Sequence, residues 1–161
     1  MTTVNPPLAS SSAAARDADS HHAVILFDGE CNLCSRSVRF VLARDRRDHF
    51  RFASLQSDIG RALLERHHVT DAGAAENGGS LVLIERGKPS TRSTAALKIA
   101  RHLGGVWPLL SVFRIIPRPL RDAVYDFIAR HRYRWFGKTS DADVCPIDPA
   151  AQERLRSKML A

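Results

Sequence analysis

The segment Asp28-Gly29-Glu30-Cys31-Asn32-Leu33-Cys34 is the part of the sequence best suited to chemistry. It holds two thiols in a C-x-x-C spacing, preceded by a carboxylate. In a helix, residues i and i+3 share one face. That spacing is compatible with the ~4.4–6.8 Å Cα separation of a disulfide. At a helix N-terminus, free N–H groups and the positive end of the macrodipole stabilise a thiolate. Comparable sites lower a cysteine pKa from ~8.5 to ~3.5–7.5. A thiolate is the species that attacks a disulfide. The position of each sulfur assigns its part. Cys31, at or just before the first helical residue, is expected to be the accessible, ionised nucleophile. Cys34, on the stripe with Val38 and Val41, is expected to be mostly buried and to act as the resolving thiol. Asp28 is a candidate proton acceptor for Cys34, and equally a turn or cap residue.

Two other readings of the cysteine pair remain. A C-x-x-C is also half of a structural zinc site. Its further ligands would be Cys145 and one of His49, His67, His68, His102 or His131, and the sequence offers no second C-x-x-C or H-x₃-H pair. The pair could also be two reduced thiols in a packed turn. Cys145 is read as a spectator, and His21-His22 as solvated tail residues. Three cysteines are too few for a secreted disulfide scaffold.

The periodicities supply elements to position the motif. Val24–Phe27 is a continuous apolar run, as in a strand covered on both faces. Cys34, Val38, Val41 and Leu42 recur at helical spacing, with arginines opposite, which predicts an amphipathic helix over 32–45. Phe50–Ala53 alternates as a strand. Ser57 can cap a helix bearing Ile59, Ala62, Leu63 and Arg66. The stretch 70–80 reads as a loop, Leu81–Ile84 as a second buried strand, and Lys88–Thr91 as a short strand after the Arg86-Gly87 turn. Ser93 is expected to cap a helix that Gly104-Gly105 ends. The order is strand, helix, strand, helix, strand, strand, helix. Its first half is a right-handed βαβ crossover if the strands pair in parallel. Val106–Ile116 is expected to be a core helix against the sheet, followed by a helix carrying Leu120, Val124, Phe127, Ile128 and His131 on one face.

The chain has 161 residues, 44% hydrophobic and 25% charged. That is one domain of ordinary globular composition and excludes collagen-like, wholly disordered and multi-span membrane classes. Residues 1–22 read as a flexible tail without a signal-peptide core, 23–149 as the domain, and 150–161 as a tail or short helix. No stretch approaches the ~20 apolar residues of a membrane span, so the cytoplasm is the expected location. Lys+Arg exceeds Asp+Glu by 24 to 17. The excess is conspicuous over Arg114–Lys138, which also holds Tyr125, Tyr133, Trp135 and Phe136. The plain reading is a helix with solvated arginines and core-closing aromatics. The alternative is a non-enzymatic module that docks an anionic partner, whether a membrane surface or nucleic acid, the latter not expected.

The stretches LFDGECNLCSRSVRFVLARD (26–45), FRFASLQS (50–57), SLVLIERG (80–87) and FRIIPRPLRDAVYDFIARHRYRWFGK (113–138) resemble the DCC family of thiol-disulfide oxidoreductases, named for a D-x-x-C-x-x-C motif. The resemblance runs from Ala23 to about Pro149. It implies a thioredoxin-like α/β fold, a three-layer βαβαββα sandwich with additional C-terminal helices, and it places the motif on Asp28, Cys31 and Cys34. The implied reaction is thiol–disulfide exchange with a disulfide-containing protein or small molecule, restored by a separate thiol reductant. The sulfurs carry the electrons, so no cofactor or metal is expected. Thioredoxins place a cis-proline before the third core strand, whereas Gly79-Ser80 precedes Leu81 here. The partner groove is therefore expected to be built differently, with the Ser80 hydroxyl a candidate contact for the sulfurs.

Overall fold

The computed structural model describes residues 22–70, 80–137 and 157–159. Its elements run β1 (Ala23–Phe27), α1 (Asn32–Arg44), β2 (Phe50–Ser54), α2 (Asp58–Arg66), β3 (Val82–Glu85), β4 (Lys88–Thr91), α3 (Arg92–His102), a 3-10 segment (Trp107–Ile115) and α4 (Arg118–Phe136). The strands form one mixed sheet in the order β2-β1-β3-β4. β1 and β2 are parallel, with Ile25 opposite Phe52, and β3 runs antiparallel to both β1 and β4. This is the thioredoxin-like α/β arrangement that the family resemblance implied and with which the element order agrees.

The pleat divides the core into two layers. Ala23, Ile25, Phe27, Phe50, Phe52 and Leu83 meet Val38, Val41 and Leu42 of α1 and Ala95 and Ile99 of α3. Val24, Leu26, Ala53, Val82 and Ile84 meet Ile59 and Leu63 of α2 on the other face. β1 is covered on both sides, which is why its sequence is apolar without alternation. Ser57 caps α2 by accepting from the Gly60 N–H at 3.0 Å. Gly60 then lies so close to β2 that an added Cβ would stand 2.0 Å from the Ser54 carbonyl oxygen.

Three expectations are corrected. Thr91, not Ser93, precedes the first residue of α3, and the Ser93 hydroxyl instead bonds the Asp122 carboxylate of α4. The 106–116 segment is not a core helix. It is 3-10, none of its residues is buried, and Leu109 and Ile115 are 73% and 83% exposed. Its apolar residues point in too many directions for one packed face. The aromatics of α4 divide: Trp135 and Phe136 are exposed, whereas Tyr125 and Tyr133 are half-buried against the sheet end. Of the final expected helix at 150–160, only Ser157–Met159 fall within the described residues. There Met159 pairs with Phe52 and packs against the core. The 1–21 tail, most of the 70–80 loop and Cys145 lie outside the described residues.

Candidate active site

The C-x-x-C stands where β1 gives way to α1. Leu26 and Phe27 hold the end of β1 in the sheet, and the Asp28–Cys31 turn carries the chain over to the helix. Two bonds close that turn: the Glu30 N–H to Asp28 Oδ1 at 3.0 Å and the Cys31 N–H to the Asp28 carbonyl at 3.3 Å. Cys31 occupies the N-cap position in an extended conformation (φ −103°, ψ 118°). Cys34 lies one turn into α1, packed against the Ile25–Phe52 layer.

Both thiols are reduced and hydrogen-bonded to each other. The Cys34 thiol donates to Cys31, and this is the main reason the Cys31 pKa falls to about 6. Burial opposes the shift, while nearby N–H groups and the Arg132 guanidinium assist it. The same bond pushes the Cys34 thiol strongly up, and burial adds to that. The electrostatic asymmetry is the one expected from position, with Cys31 the readily ionised sulfur. The exposure is not. Cys31 has no exposed surface (0%), whereas Cys34 is half-buried. Cys34, and not Cys31, lines an apolar groove of about 540 Å³ between α1, α3, the 3-10 segment and α4. As N-cap, Cys31 is tucked between the strand end and the helix. Cys34 points to the side where α4 leaves a gap.

Asp28 is 2% exposed and accepts four hydrogen bonds. Oδ1 takes the Glu30 N–H and Gln56 Nε2 at 3.0 and 2.9 Å. Oδ2 takes Arg132 Nη2 at 2.9 Å and the Tyr133 hydroxyl. That fills the acceptor capacity of a carboxylate. Among the described residues no hydrogen bond joins Asp28 to Cys34. Arg132 stands between them, with Nη1 3.7 Å from Cys34 Sγ. Asp28 therefore meets the sulfurs through a guanidinium.

Arg132 and Tyr133 are the site residues that sequence reasoning missed. The sequence reads Arg132 as one of the solvated arginines of α4 and Tyr133 as one of its core-closing aromatics, yet Arg132 is 3% exposed and is the buried residue of α4. Tyr125, Ala129 and Arg132 follow i, i+4, i+7 along α4 and all line the groove. That spacing was a usable signal. The Tyr125 hydroxyl accepts the Leu81 N–H at 3.0 Å, at the mouth of β3, and burial raises its pKa. Ser80 is buried beside that phenol and reaches neither sulfur. Asn32 Nδ2 donates to the Phe136 carbonyl at 3.0 Å, so the C-terminus of α4 is tied to the first turn of α1. Gly137, at φ +73°, then turns the chain away. Among the described residues, the metal-capable group of side chains is His49, Glu85 and His102, which includes neither cysteine.

Comparison with known proteins agrees with this architecture. The chain is 46% identical over 118 residues to the uncharacterized protein YuxK of Bacillus subtilis, covering 73% of this chain and 83% of that one. It is 36% identical over 122 residues to a DCC family protein of Arabidopsis thaliana described as chloroplastic, covering 75% and 69%. No solved structure matches it. A family model described as DCC1-like thiol-disulfide oxidoreductase matches residues 25–138, a span that opens in β1, takes in the cysteine pair with its Asp28–Arg132–Tyr133 clamp, and closes just past Gly137. The chain thus belongs to the DCC1-like thiol-disulfide oxidoreductase family.

Proposed function

We propose that the protein exchanges thiols and disulfides through Cys31 and Cys34. One observation carries the reading: the Cys34-to-Cys31 hydrogen bond, which leaves Cys31 ionised near neutrality and Cys34 protonated. The Cys31 thiolate attacks one sulfur of a substrate disulfide R–S–S–R′. The S–S bond breaks, R′–S⁻ leaves and takes up a proton, and Cys31–S–S–R remains. Cys34 then loses its proton to the solvent or the departing thiolate and attacks Cys31 Sγ. R–S⁻ is released, and a Cys31–Cys34 disulfide forms. The two cysteines are oxidised by two electrons and the substrate disulfide is reduced by two. An external dithiol of lower potential reverses the change on the protein.

Cys31 has no exposed surface, so attack requires a movement that uncovers it. The groove beside Cys34 is the place for the apolar side of a substrate. Arg132 favours the thiolates electrostatically, and Asp28 holds Arg132 there. Among the described residues no helix is long and apolar enough to cross a membrane.

The test is trapping by mass spectrometry with a mixed aromatic disulfide as substrate. Cys31→Ser is expected to abolish turnover, and Cys34→Ser to accumulate a mixed disulfide on Cys31. Accumulation on Cys34 in the Cys31→Ser protein, with none in the converse, assigns the attack to the other sulfur. Turnover unchanged by either substitution ends the redox reading.

A second reading rests on a separate observation. The large hydrophobic side chains exposed among the described residues all lie between Val106 and Phe136. Arg114, Arg118, Arg130 and Arg134 are exposed among them. An apolar face studded with arginines fits an anionic membrane surface, with the side chains in the headgroup boundary and the guanidiniums on phosphates. Co-sedimentation with phosphatidylglycerol vesicles at low salt is expected, weakening as salt rises. Equal binding to neutral vesicles, or none, rejects it.

A further inference from the structure

At the end of the sheet away from the cysteines, three side chains from three elements converge. His49 immediately precedes β2, Glu85 ends β3 and His102 ends α3. Glu85 Oε1 lies 2.8 Å from His102 Nε2 and 3.8 Å from His49 Nε2. The three donor atoms all fall within 4.8 Å of one another. The imidazoles are stacked, with ring centroids 4.3 Å apart and 26° between planes, so the rings must rotate out of the stack for both Nε2 lone pairs to meet one ion. Neither Nε2 has exposed surface; His102 Nε2 is held by Glu85 Oε1, whereas His49 Nε2 sees that oxygen only at 3.8 Å and has no hydrogen bond. A buried imidazole nitrogen without a hydrogen bond is costly unless something else satisfies it.

We infer that His49, Glu85 and His102 form a binding site for a borderline transition-metal dication, of which Zn²⁺ is the best match. Two imidazoles and one carboxylate form a recognised zinc donor set, and imidazole disfavours Ca²⁺ and Mg²⁺. A tetrahedral ion at ~2.0–2.2 Å holds its donors about 3.4 Å apart. The two nitrogen–oxygen separations here, 2.8 and 3.8 Å, bracket that value.

The backbone is already fixed for the task. The His49 N–H donates to Asp45 Oδ1 at 2.9 Å, and the His49 carbonyl accepts the Ala23 N–H at 3.0 Å. The Arg86-Gly87 turn, with φ of +51° and +70°, fixes the end of β3 where it pairs with β4. The side chains of His49, Glu85 and His102 are 33%, 18% and 25% exposed, so the cluster lies near the surface although the two Nε2 atoms themselves are covered. The length of β1, roughly 16 Å for five residues, separates this site from Cys31. A metal there joins the starts of β1 and β2, the end of β3 and the end of α3 without touching the sulfurs.

The test is calorimetric titration of the reduced, chelator-treated full chain with Zn²⁺, repeated with Co²⁺ for its spectrum. One equivalent is expected to bind, and to bind equally in a Cys31→Ser/Cys34→Ser protein. The Co²⁺ form should show visible bands and no sulfur-to-metal charge transfer. His102→Gln is expected to weaken binding by more than ~100-fold, beyond the usual effect of losing an outer partner. Glu85→Gln keeps the side-chain shape, so it decides the matter should His102→Gln fail to fold. It is expected to cost at least ~10-fold while the metal-free chain still unfolds in one cooperative transition. Binding that survives Glu85→Gln undiminished, binding that disappears with the cysteines, or a folded wild-type chain that takes up no metal overturns the inference.

Discussion

The low pKa of Cys31 has a stated cause, the thiol of Cys34, so Cys34→Ala is its sharpest test. The structure puts the Cys31 pKa at about 6, against 9.0 for an unperturbed thiol, with the Cys34 side chain as the largest contributor. Without that donor, burial is left to oppose Arg132 and the local N–H groups, and the pKa returns toward 9. At pH 7 the thiolate fraction then drops from about 90% to about 1%, roughly 90-fold. A thiolate of higher pKa is a better nucleophile; with a Brønsted slope of ~0.4–0.5, about three units return ~16–32-fold. The net loss in alkylation rate at pH 7 is therefore only ~3–6-fold, and at pH 6 it is about 15–30-fold. A single-pH assay would understate the effect, and a pH–rate profile would not. The measurement is iodoacetamide modification of the Cys31 peptide, quantified by mass spectrometry from pH 4 to 10. The inflection is expected near 6 in the wild-type protein and near 9 in Cys34→Ala. An inflection above 8 in the wild-type protein refutes the depressed pKa. An inflection that stays near 6 in Cys34→Ala transfers the cause to Arg132 or the helix N-terminus.

The same pair makes stability depend on pH. The folded Cys31 pKa lies below its unfolded value, so its ionisation adds stability as pH rises from about 6 to 9, and that increment is lost as pH falls through 6. Cys34 is raised in the fold, so it subtracts stability above about pH 9, where its thiol ionises only in the unfolded chain. The urea midpoint of the reduced protein, relative to Cys31→Ser/Cys34→Ser, is thus expected to peak near pH 8–9; a flat difference refutes the linkage. Arg132→Met leaves the Asp28 carboxylate buried without its cation and is expected to cost about 3–5 kcal/mol in denaturant unfolding. Adding Asp28→Asn should recover part of that loss, and strict additivity would show the two are uncoupled. Gly60→Ala drives a methyl into the Ser54 carbonyl and should destabilise by about 1–3 kcal/mol or more, and a neutral result would mean that α2 can slide off β2.

How far the sequence could be read depended on whether one segment or several decide a residue's environment. β1 and α1 were legible because their burial follows from their own periodicity: Val24–Phe27 is apolar throughout, and Val38, Val41 and Leu42 form a single stripe. The Cys31/Cys34 asymmetry was legible electrically, since backbone position sets it, but not sterically. Cys34 faces a groove whose far wall is α4, and α4 comes from the far end of the chain. Arg132 shows the same limit. Its type and neighbours suggest a solvated side chain, and only the carboxylate buried at the end of β1 makes it internal. The 106–116 segment failed for the opposite reason. Its composition demands burial, yet none of its residues is buried in the described structure.

α4 is unusual in what holds it down. Val124, Phe127 and Ile128 are exposed, and its buried residue is an arginine. Its attachment is instead concentrated in polar bonds: Arg132 and Tyr133 to Asp28, Tyr125 to the Leu81 N–H, and the Phe136 carbonyl to Asn32. Polar attachment of this kind is steep, because removing one partner leaves the other buried and unsatisfied. α4 should therefore lift as a unit while the sheet stays folded, placing it at the low end of local stability. Lifting would uncover the groove and Cys34 together, giving a partner disulfide access to the pair. Amide exchange is expected to be faster in α4 than in β1 and β3, and Tyr133→Phe should accelerate it in α4 alone while raising Cys34 alkylation. Equal protection of α4 and β3, unchanged by Tyr133→Phe, would mean that α4 is welded to the core and that the cysteines must be reached by another route.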